Sequence, residues 1–169
     1  ETILRLFQAL SREEKQIWHP YMMDSIARLV EEAERLDVDM AIEPVYWHPL
    51  DSLEVVQQLI DHVADPEHLH FIFDPANVLE NHNIPHQAKL WNDWLSLIGS
   101  RVDAIHIKDF TYGSTGTDDT YGPCPLGKGC IQYDAISKWL HQQNRDIPLL
   151  REEVILSCAA EDIAFMSAL

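Results

Sequence analysis

The stretch FIFDPANVL, at positions 71–79 of this 169-residue chain, decides the fold class. It opens with a short apolar run of aromatic and β-branched side chains, which a carboxylate, Asp74, and then a proline follow at once. An apolar run bounded by turn-forming residues predicts a buried strand that ends near Asp74. Ligands bind beyond the carboxyl ends of the strands of a parallel sheet, so Asp74 is a candidate functional residue.

Apolar runs that end in turn-forming or polar residues recur on both sides of this stretch. We predict four buried strands, at 40–45, 69–74, 102–108 and 148–152, and helices at 11–36, 51–63, 85–98, 133–143 and from 159 onward. Short apolar strands that alternate with helices are typical of βαβ units, so the predicted fold class is α/β with a parallel sheet. Residues 109–129 lack obvious structure, which indicates a functional or a disordered loop.

The predicted first helix begins with a capping box, formed by Ser11 and, three residues later, Glu14. Apolar residues then recur at the three-and-four spacing of an amphipathic helix as far as Leu36. Pro20 interrupts this pattern and supplies no backbone donor, so we expect a break or a kink near His19.

Composition and charge narrow the class of protein. The chain has 28 acidic against 12 basic residues, a formal net charge of −16, and no cluster of Lys and Arg. Nucleic-acid binding needs a clustered basic face, so a small polar or metal-chelating partner fits better. Since no charged stretch followed by an apolar run and no apolar run of membrane-spanning length is visible, we expect neither a leader sequence nor a membrane span. The three cysteines form no CxxC pair. We expect a cytoplasmic protein that contacts neither membranes nor nucleic acid.

Each of the four predicted strands ends in a residue that can bind a metal: Glu43, Asp74, His106 and Glu152. One acidic residue after a strand is more often an ordinary helix cap, but four consecutive strands that end this way weaken that explanation. Three carboxylates and one imidazole form a hard site that suits Mn²⁺, Mg²⁺, Co²⁺ or Zn²⁺. The pattern predicts one divalent cation at the carboxyl ends of the strands.

Five stretches carry a resemblance to a known family: AIEPVYWHP (41–49), FIFDPANVL (71–79), VDAIHIKDF (102–110), PLGKGCIQY (125–133) and PLLREEV (148–154). In this order and spacing they resemble the xylose-isomerase-like superfamily of TIM barrels, which includes sugar phosphate isomerases and epimerases and AP endonuclease family 2. The resemblance covers nearly the whole chain from about residue 11. It implies a (β/α)8 barrel, of which these four strands form the C-terminal half.

The barrel expectation bears on domain organisation. A complete barrel takes about 250 residues, so residues 1–169 are expected to form a single domain that is incomplete at its N-terminus. Four parallel strands alone would leave two open sheet edges, so we expect pairing with another copy, as a homo-oligomer, or with the missing half.

The resemblance also implies roles for individual residues. Glu43, Asp74, His106 and Glu152 would bind the metal, and Glu43 and Glu152 would also act as an acid/base pair. The metal would chelate the carbonyl and the adjacent hydroxyl of a carbohydrate and stabilise the enediolate that proton removal produces. Return of the proton to the neighbouring carbon gives isomerisation, and return to the opposite face gives epimerisation.

Several positions stay open. Glu153 competes with Glu152 for the last ligand position, and strand alternation predicts that only one of them faces the barrel mouth; the family spacing favours Glu152. Asn77 stands where many relatives have His and is expected to donate a hydrogen bond to a substrate oxygen. The multi-zinc ligands of the nucleic-acid repair branch, which resembles endonuclease IV, are absent from the sequence.

Three further features have two interpretations each. Lys108, with Asp109, is either a contact for a substrate phosphate or hydroxyl or part of a solvated charge pair. His48 either points into the site or packs beside its neighbour in the loop. Gly127 and Gly129 predict a tight structural turn that allows positive φ.

Two classes of function follow. The first is a metal-dependent isomerase or epimerase that acts on a small sugar, sugar phosphate or keto acid through an enediolate, with dehydratases of inositol catabolism as relatives on the same scaffold. The second is a non-catalytic sugar-binding or regulatory barrel, which a Glu43 or Glu152 turned away from the other ligands would favour.

Overall fold

A four-stranded parallel sheet forms the centre of the protein, whose computed structural model describes residues 9–112 and 121–169. Its strands are β1 (Met40–Ile42), β2 (Leu69–Phe73), β3 (Val102–Ile107) and β6 (Leu149–Arg151), in the spatial order β1-β2-β3-β6. All three pairings are parallel. The predicted α/β class and all four predicted strands are therefore confirmed.

Helices separate the strands along the chain. They are α1 (Arg12–Leu36), α2 (Leu53–His62), α3 (Gln87–Ile98), α4 (Asp134–Leu140) and α5 (Ala159–Met166), with 3-10 turns at Pro66–His68, Asn81–His86, Gly99–Arg101 and Leu156–Cys158. Within the described residues, no helix combines the length and the hydrophobicity needed to cross a membrane.

Helix α1 begins with the predicted capping box of Ser11 and Glu14. It then continues through Pro20 without interruption, so the expected break near His19 is wrong. The carbonyl that loses its helical partner to this proline belongs to Gln16. Both Gln16 and Pro20 are exposed, so water can satisfy that carbonyl and the helix can tolerate the proline.

The hydrophobic core lies between the helices and one face of the sheet. Along β2, Leu69, Phe71 and Phe73 are fully buried, whereas the alternate residues His70 and Ile72 are only partly buried. Two-residue periodicity therefore places one row of side chains against the helices. The other row lies on the second face of the sheet, where burial is only partial.

The stretch predicted as an unstructured loop at 109–129 contains an antiparallel pair, β4 (Phe110–Tyr112) and β5 (Tyr121–Pro123). Positions 113–120 of that stretch lie outside the described residues. The pairing has no sequence signal of its own, because its two short strands contain no alternating apolar pattern.

The Asp109 side chain joins the two ends of this stretch through hydrogen bonds. Its buried carboxylate accepts hydrogen bonds from the backbone N–H groups of Phe110, Gly129 (2.9 Å) and Ile131 (3.1 Å). A Cβ on Gly129 would lie 2.1 Å from Oδ1 of Asp109, so only glycine fits there. Gly127 has a φ of 72°, which confirms the predicted positive-φ turn. The solvated charge pair considered for Asp109 is wrong, because this carboxylate is buried and holds the loop.

Candidate metal centre

The carboxyl ends of the parallel strands bring Glu43, Asp74 and His106 within mutual ligand distance, and they place Glu152 against His106. Glu43 follows β1, Asp74 follows β2, His106 lies near the end of β3, and Glu152 follows β6. Nδ1 of His106 is 3.3 Å from Oε2 of Glu43, 3.5 Å from Oδ2 of Asp74 and 3.2 Å from Oε1 of Glu152. Ligand atoms of Glu43, Asp74 and His106 all lie within 4.8 Å of one another.

These distances match what a small divalent cation requires. Adjacent donors around an ion with bonds of about 2.1 Å are about 3.0 Å apart in octahedral and about 3.4 Å apart in tetrahedral geometry. The three oxygens lie at 3.2 to 3.5 Å from the imidazole nitrogen. The chemistry of the donors, three carboxylates and one imidazole, agrees with this spacing.

Nδ1 of His106 is buried at the centre of the group and has no hydrogen-bond partner in the described part of the chain. Oδ2 of Asp74 is buried beside it, and its partner is the Lys108 ammonium at 2.8 Å. The other oxygen of Asp74, Oδ1, accepts from the N–H groups of Ala76 (2.9 Å) and Asn77 (3.1 Å). The backbone therefore fixes this carboxylate with its second oxygen directed at the imidazole. A buried polar atom without a partner is costly, and a bound cation would supply a partner for Nδ1 of His106 and a second one for Oδ2 of Asp74.

Lys108 provides positive charge at the edge of the centre. Its ammonium lies 2.8 Å from Oδ2 of Asp74 and 2.9 Å from Oε2 of Glu152, and its side chain is 11% exposed. Although burial opposes the charged form, these two carboxylates raise the pKa of Lys108. The hydroxyl of Tyr133 donates to the Lys108 carbonyl (2.6 Å) and fixes its backbone. The solvated interpretation of Lys108 is therefore wrong.

Asn77 holds Glu43 in place. Its side-chain amide donates to Oε1 of Glu43, which leaves Oε2 of Glu43 toward His106. Burial raises the pKa of the Glu43 carboxyl, and the hydrogen bond from Asn77 opposes that rise. Asn77 was expected to donate to a substrate oxygen; in this structure its amide donates to a carboxylate of the centre, and the residue also lines the adjacent cavity.

The pKa of His106 is raised. The largest cause is its interaction with the Asp74 carboxylate, and Glu152 and Glu43 add to it, while burial opposes it. Without a cation, the imidazole therefore tends to hold a proton that offsets part of the surrounding negative charge. A metal ion would have to displace that proton to bind at the same nitrogen.

Glu152 and Glu153 do not alternate as an extended strand would require. β6 ends at Arg151, and Glu153 has a left-handed φ of 52°. Glu152 lies against His106 and Lys108, while Glu153 lines the cavity beside them. Of the two rivals for the last ligand position, it is thus Glu152, the one that the family spacing favours, that lies against His106. Strand geometry stops one residue before Glu152.

A cavity of about 240 Å³ adjoins the centre. Its apolar wall includes Tyr46, Trp47, Leu79, Phe110 and Pro123, and its polar groups are those of Asn77, Lys108 and Glu153. Tyr46 and Trp47 stack edge-on, with ring centroids 4.7 Å apart. The sequence reasoning missed this aromatic wall, although its position directly after the β1 and β3 strand ends is where βα loops converge.

His48 is exposed and lies outside the described lining of the cavity. Its ring is 6.2 Å from that of Trp47, which is the packing alternative considered for it. A neighbouring contact, not recognised from the sequence, holds this loop: the Lys15 ammonium donates to the Tyr46 carbonyl and to Oδ2 of Asp51 (2.7 Å). Helix α1 thereby positions the aromatic wall.

The arrangement has a donor set that can hold a divalent ion, beside a cavity of about 240 Å³. Glu43 and Glu152 both approach Nδ1 of His106. A Glu43 or Glu152 turned away from the other ligands would have favoured a non-catalytic barrel, but neither carboxylate is turned away.

Comparisons with known proteins agree with this geometry. A family model described as xylose isomerase-like TIM barrel matches residues 7–167. A 3-oxo-isoapionate decarboxylase of Pectobacterium atrosepticum is 28% identical over 120 residues, which cover 69% of this chain and 39% of that protein.

Solved structures show the same fold at low sequence identity. The probable 3-DHS dehydratase AsbF of Bacillus anthracis superimposes with a TM-score of 0.67 at 15% identity, covering 94% of this chain and 58% of that one. A xylose isomerase-like TIM barrel protein of Mycobacterium smegmatis, solved in complex with magnesium, gives 0.65 at 15% identity, covering 90% and 50%. The chain thus spans 39% to 58% of the length of these relatives.

Proposed function

Because this chain belongs to the xylose isomerase-like TIM barrel family, we propose that it forms the active site of a metal-dependent isomerase or epimerase. The substrate would be a small sugar or a related keto acid. The observation that carries the proposal is the convergence of three carboxylate oxygens on one imidazole nitrogen, at 3.2 to 3.5 Å, beside a cavity with an aromatic wall.

The residues that would hold the cation are Glu43, Asp74, His106 and Glu152. A divalent ion bound there would polarise a substrate carbonyl and stabilise the negative charge that develops on its oxygen. A structural neighbour at 15% identity was solved with magnesium, which is one of the ions that these donors suit. Manganese, cobalt and zinc suit the same donors.

Proton transfer would fall to Glu43 and Glu152. The raised pKa of Glu43 brings that carboxyl closer to neutral pH, which suits a group that must both take and return a proton. Asn77 orients Glu43, and Lys108 orients Glu152 through its 2.9 Å contact. One carboxylate would remove a proton from the carbon next to the carbonyl, and the destination of the returned proton would decide between isomerisation and epimerisation.

Decarboxylation of a hydroxylated 3-oxo acid is a second candidate, which the 28% identity to a 3-oxo-isoapionate decarboxylase favours. In that reaction the bond to the carboxyl carbon breaks, carbon dioxide leaves, and the electron pair moves to the carbonyl oxygen. The same centre would stabilise the charge. No base is needed for the first step, so Glu43 or Glu152 would serve only in its protonated carboxyl form, which would give its proton to the product carbon and become a carboxylate.

The proposal is tested on the full-length protein by elemental analysis together with turnover of a panel of ketoses and 3-oxo acids in D₂O. We expect about one divalent ion per chain and incorporation of deuterium next to the carbonyl. Release of carbon dioxide with deuterium in the product would identify the decarboxylase instead. Glu152→Gln should lose metal and activity, whereas Glu31→Gln, at an exposed site on α1, should change neither.

Absence of a stoichiometric ion in the wild-type protein, with no activity after any of the four divalent ions is added, would reject the proposed function. A protein that keeps its metal in Glu152→Gln would reject the ligand assignment alone.

A further inference from the structure

Glu153 has an unusual backbone conformation. Among the described residues only Asp37 and Glu153 have positive φ without being glycine. Asp37 ends helix α1, where a left-handed residue is common. Glu153 follows a strand, where no such rule applies, and its φ is 52°. Residues held in this region tend to cluster at functional sites, because the surrounding structure must enforce them.

The left-handed residue changes where the side chain goes. Arg151 points to the helical side of the sheet, where its guanidinium lies 2.7 Å from Oδ2 of Asp162. Glu152 points to the opposite side, toward His106 at 3.2 Å. Continued alternation would return Glu153 to the helical side. Instead Glu153, which is exposed, lines the cavity that adjoins the centre.

The two carboxylates are in different electrostatic situations. Glu152 is paired with Lys108 and lies against His106. The carboxylate of Glu153 has neither a hydrogen bond nor an ion pair with any residue in the described ranges 9–112 and 121–169. The lysine in the cavity wall is already shared by Asp74 and Glu152. Since none of the described residues pairs with it, the Glu153 carboxylate can accept hydrogen bonds from an occupant of the cavity.

The remaining wall favours a particular kind of occupant. Tyr46, Trp47 and Phe110 present aromatic surface, against which the C–H faces of a polyol can pack. A free carboxylate accepts several hydrogen bonds and donates none. Hydroxyl groups match it, whereas a phosphate dianion would meet like charge with no unpaired cation among the described lining residues to offset it.

Building on the proposed function, we propose that Glu153 is a specificity residue that binds the part of the substrate lying in the cavity beside the metal centre. It selects a neutral, hydroxyl-bearing tail and excludes phosphate esters. The carboxylate accepts hydrogen bonds from the tail hydroxyls while the aromatic wall packs against its carbon skeleton. The selection does not concern the reacting end, which lies at Glu43, Asp74, His106 and Glu152.

The test compares a neutral ketose with its terminal phosphate ester on the full-length protein. We expect the wild type to favour the neutral ketose by at least about tenfold in kcat/KM. Glu153→Gln keeps an acceptor but removes the charge, so it should narrow this preference about tenfold with metal content unchanged. Glu153→Gly suits the φ of 52° and removes the acceptor too, so it should lower kcat/KM for the neutral ketose while the protein stays folded. Glu31→Gln is the control and should match the wild type.

Binding of a non-reacting pentitol and its phosphate ester, measured by calorimetry, separates this inference from the proposed function. Weaker pentitol binding in Glu153→Gly, in a protein without turnover, would sustain the role of Glu153 and reject the enzyme. A wild type that prefers the phosphate ester, or a Glu153→Gln variant with unchanged preference in both assays, would overturn the inference even if the enzyme is active.

Discussion

Removal of the Asp162 carboxylate should destabilise the protein strongly. Asp162 is 2% exposed, and its two oxygens accept from the Leu126 N–H at 2.8 Å and from Nε of Arg151 at 2.7 Å. The Arg151 side chain is itself only 9% exposed. In Asp162→Ala, the guanidinium would stay buried without its counter-ion.

Loss of one partner of a buried ion pair costs about 3–5 kcal/mol, and the Leu126 N–H would also lose its acceptor. We therefore expect the free energy of unfolding of Asp162→Ala to fall by about 3–5 kcal/mol, measured by urea denaturation at pH 7. The matched control is Glu161→Ala, at an exposed position on the same helix, which should stay within about 0.5 kcal/mol. A loss below about 1 kcal/mol in Asp162→Ala would refute the reasoning.

The same pair predicts a dependence on pH. Although burial opposes it, the Leu126 N–H and Arg151 hold the pKa of Asp162 below its usual range. A carboxyl with a depressed folded pKa contributes stability above its unfolded pKa of about 4, and this contribution disappears as pH falls through the folded value. Wild-type stability should therefore drop below about pH 4 more steeply than that of Asp162→Asn. Parallel pH profiles of the two proteins would contradict this.

Three further predictions concern the loop and the centre. Gly129→Ala should lower the free energy of unfolding by about 1–3 kcal/mol or more, because the added Cβ would overlap a buried carboxylate; Gly122→Ala, where the nearest atom is 3.8 Å away, is the control in the same urea titration. Metal affinity measured by calorimetry should fall as pH drops from 8 to about 6, because the raised pKa of His106 favours the proton over the ion, and an affinity independent of pH would contradict this. Asn77→Ala removes a hydrogen bond that lowers the pKa of Glu43. The acidic limb of the pH–rate profile should therefore move to higher pH, while the metal content stays the same. An unmoved limb would exclude Asn77 as the group that lowers the pKa of this carboxyl.

The sequence was informative wherever the signal is local. The strand and helix alternation, the four strand-end residues Glu43, Asp74, His106 and Glu152, and the capping box at Ser11 all follow from short patterns that repeat along one element. Because parallel strands place their carboxyl ends at one edge, these local patterns were enough to predict that the four side chains meet.

Tertiary structure alone decided the features that join distant residues. Lys108 is shared by Asp74 and Glu152, 34 and 44 residues away, and no local pattern signals such pairing. Helix α1 continues through Pro20 because that side of the helix is exposed to water. The position of Glu153 at the cavity follows from its own left-handed backbone, which ends the alternation of the strand. Periodicity determines which face of an element is apolar, but the charge partners and the backbone turns that aim a side chain are set by what the rest of the fold packs against it.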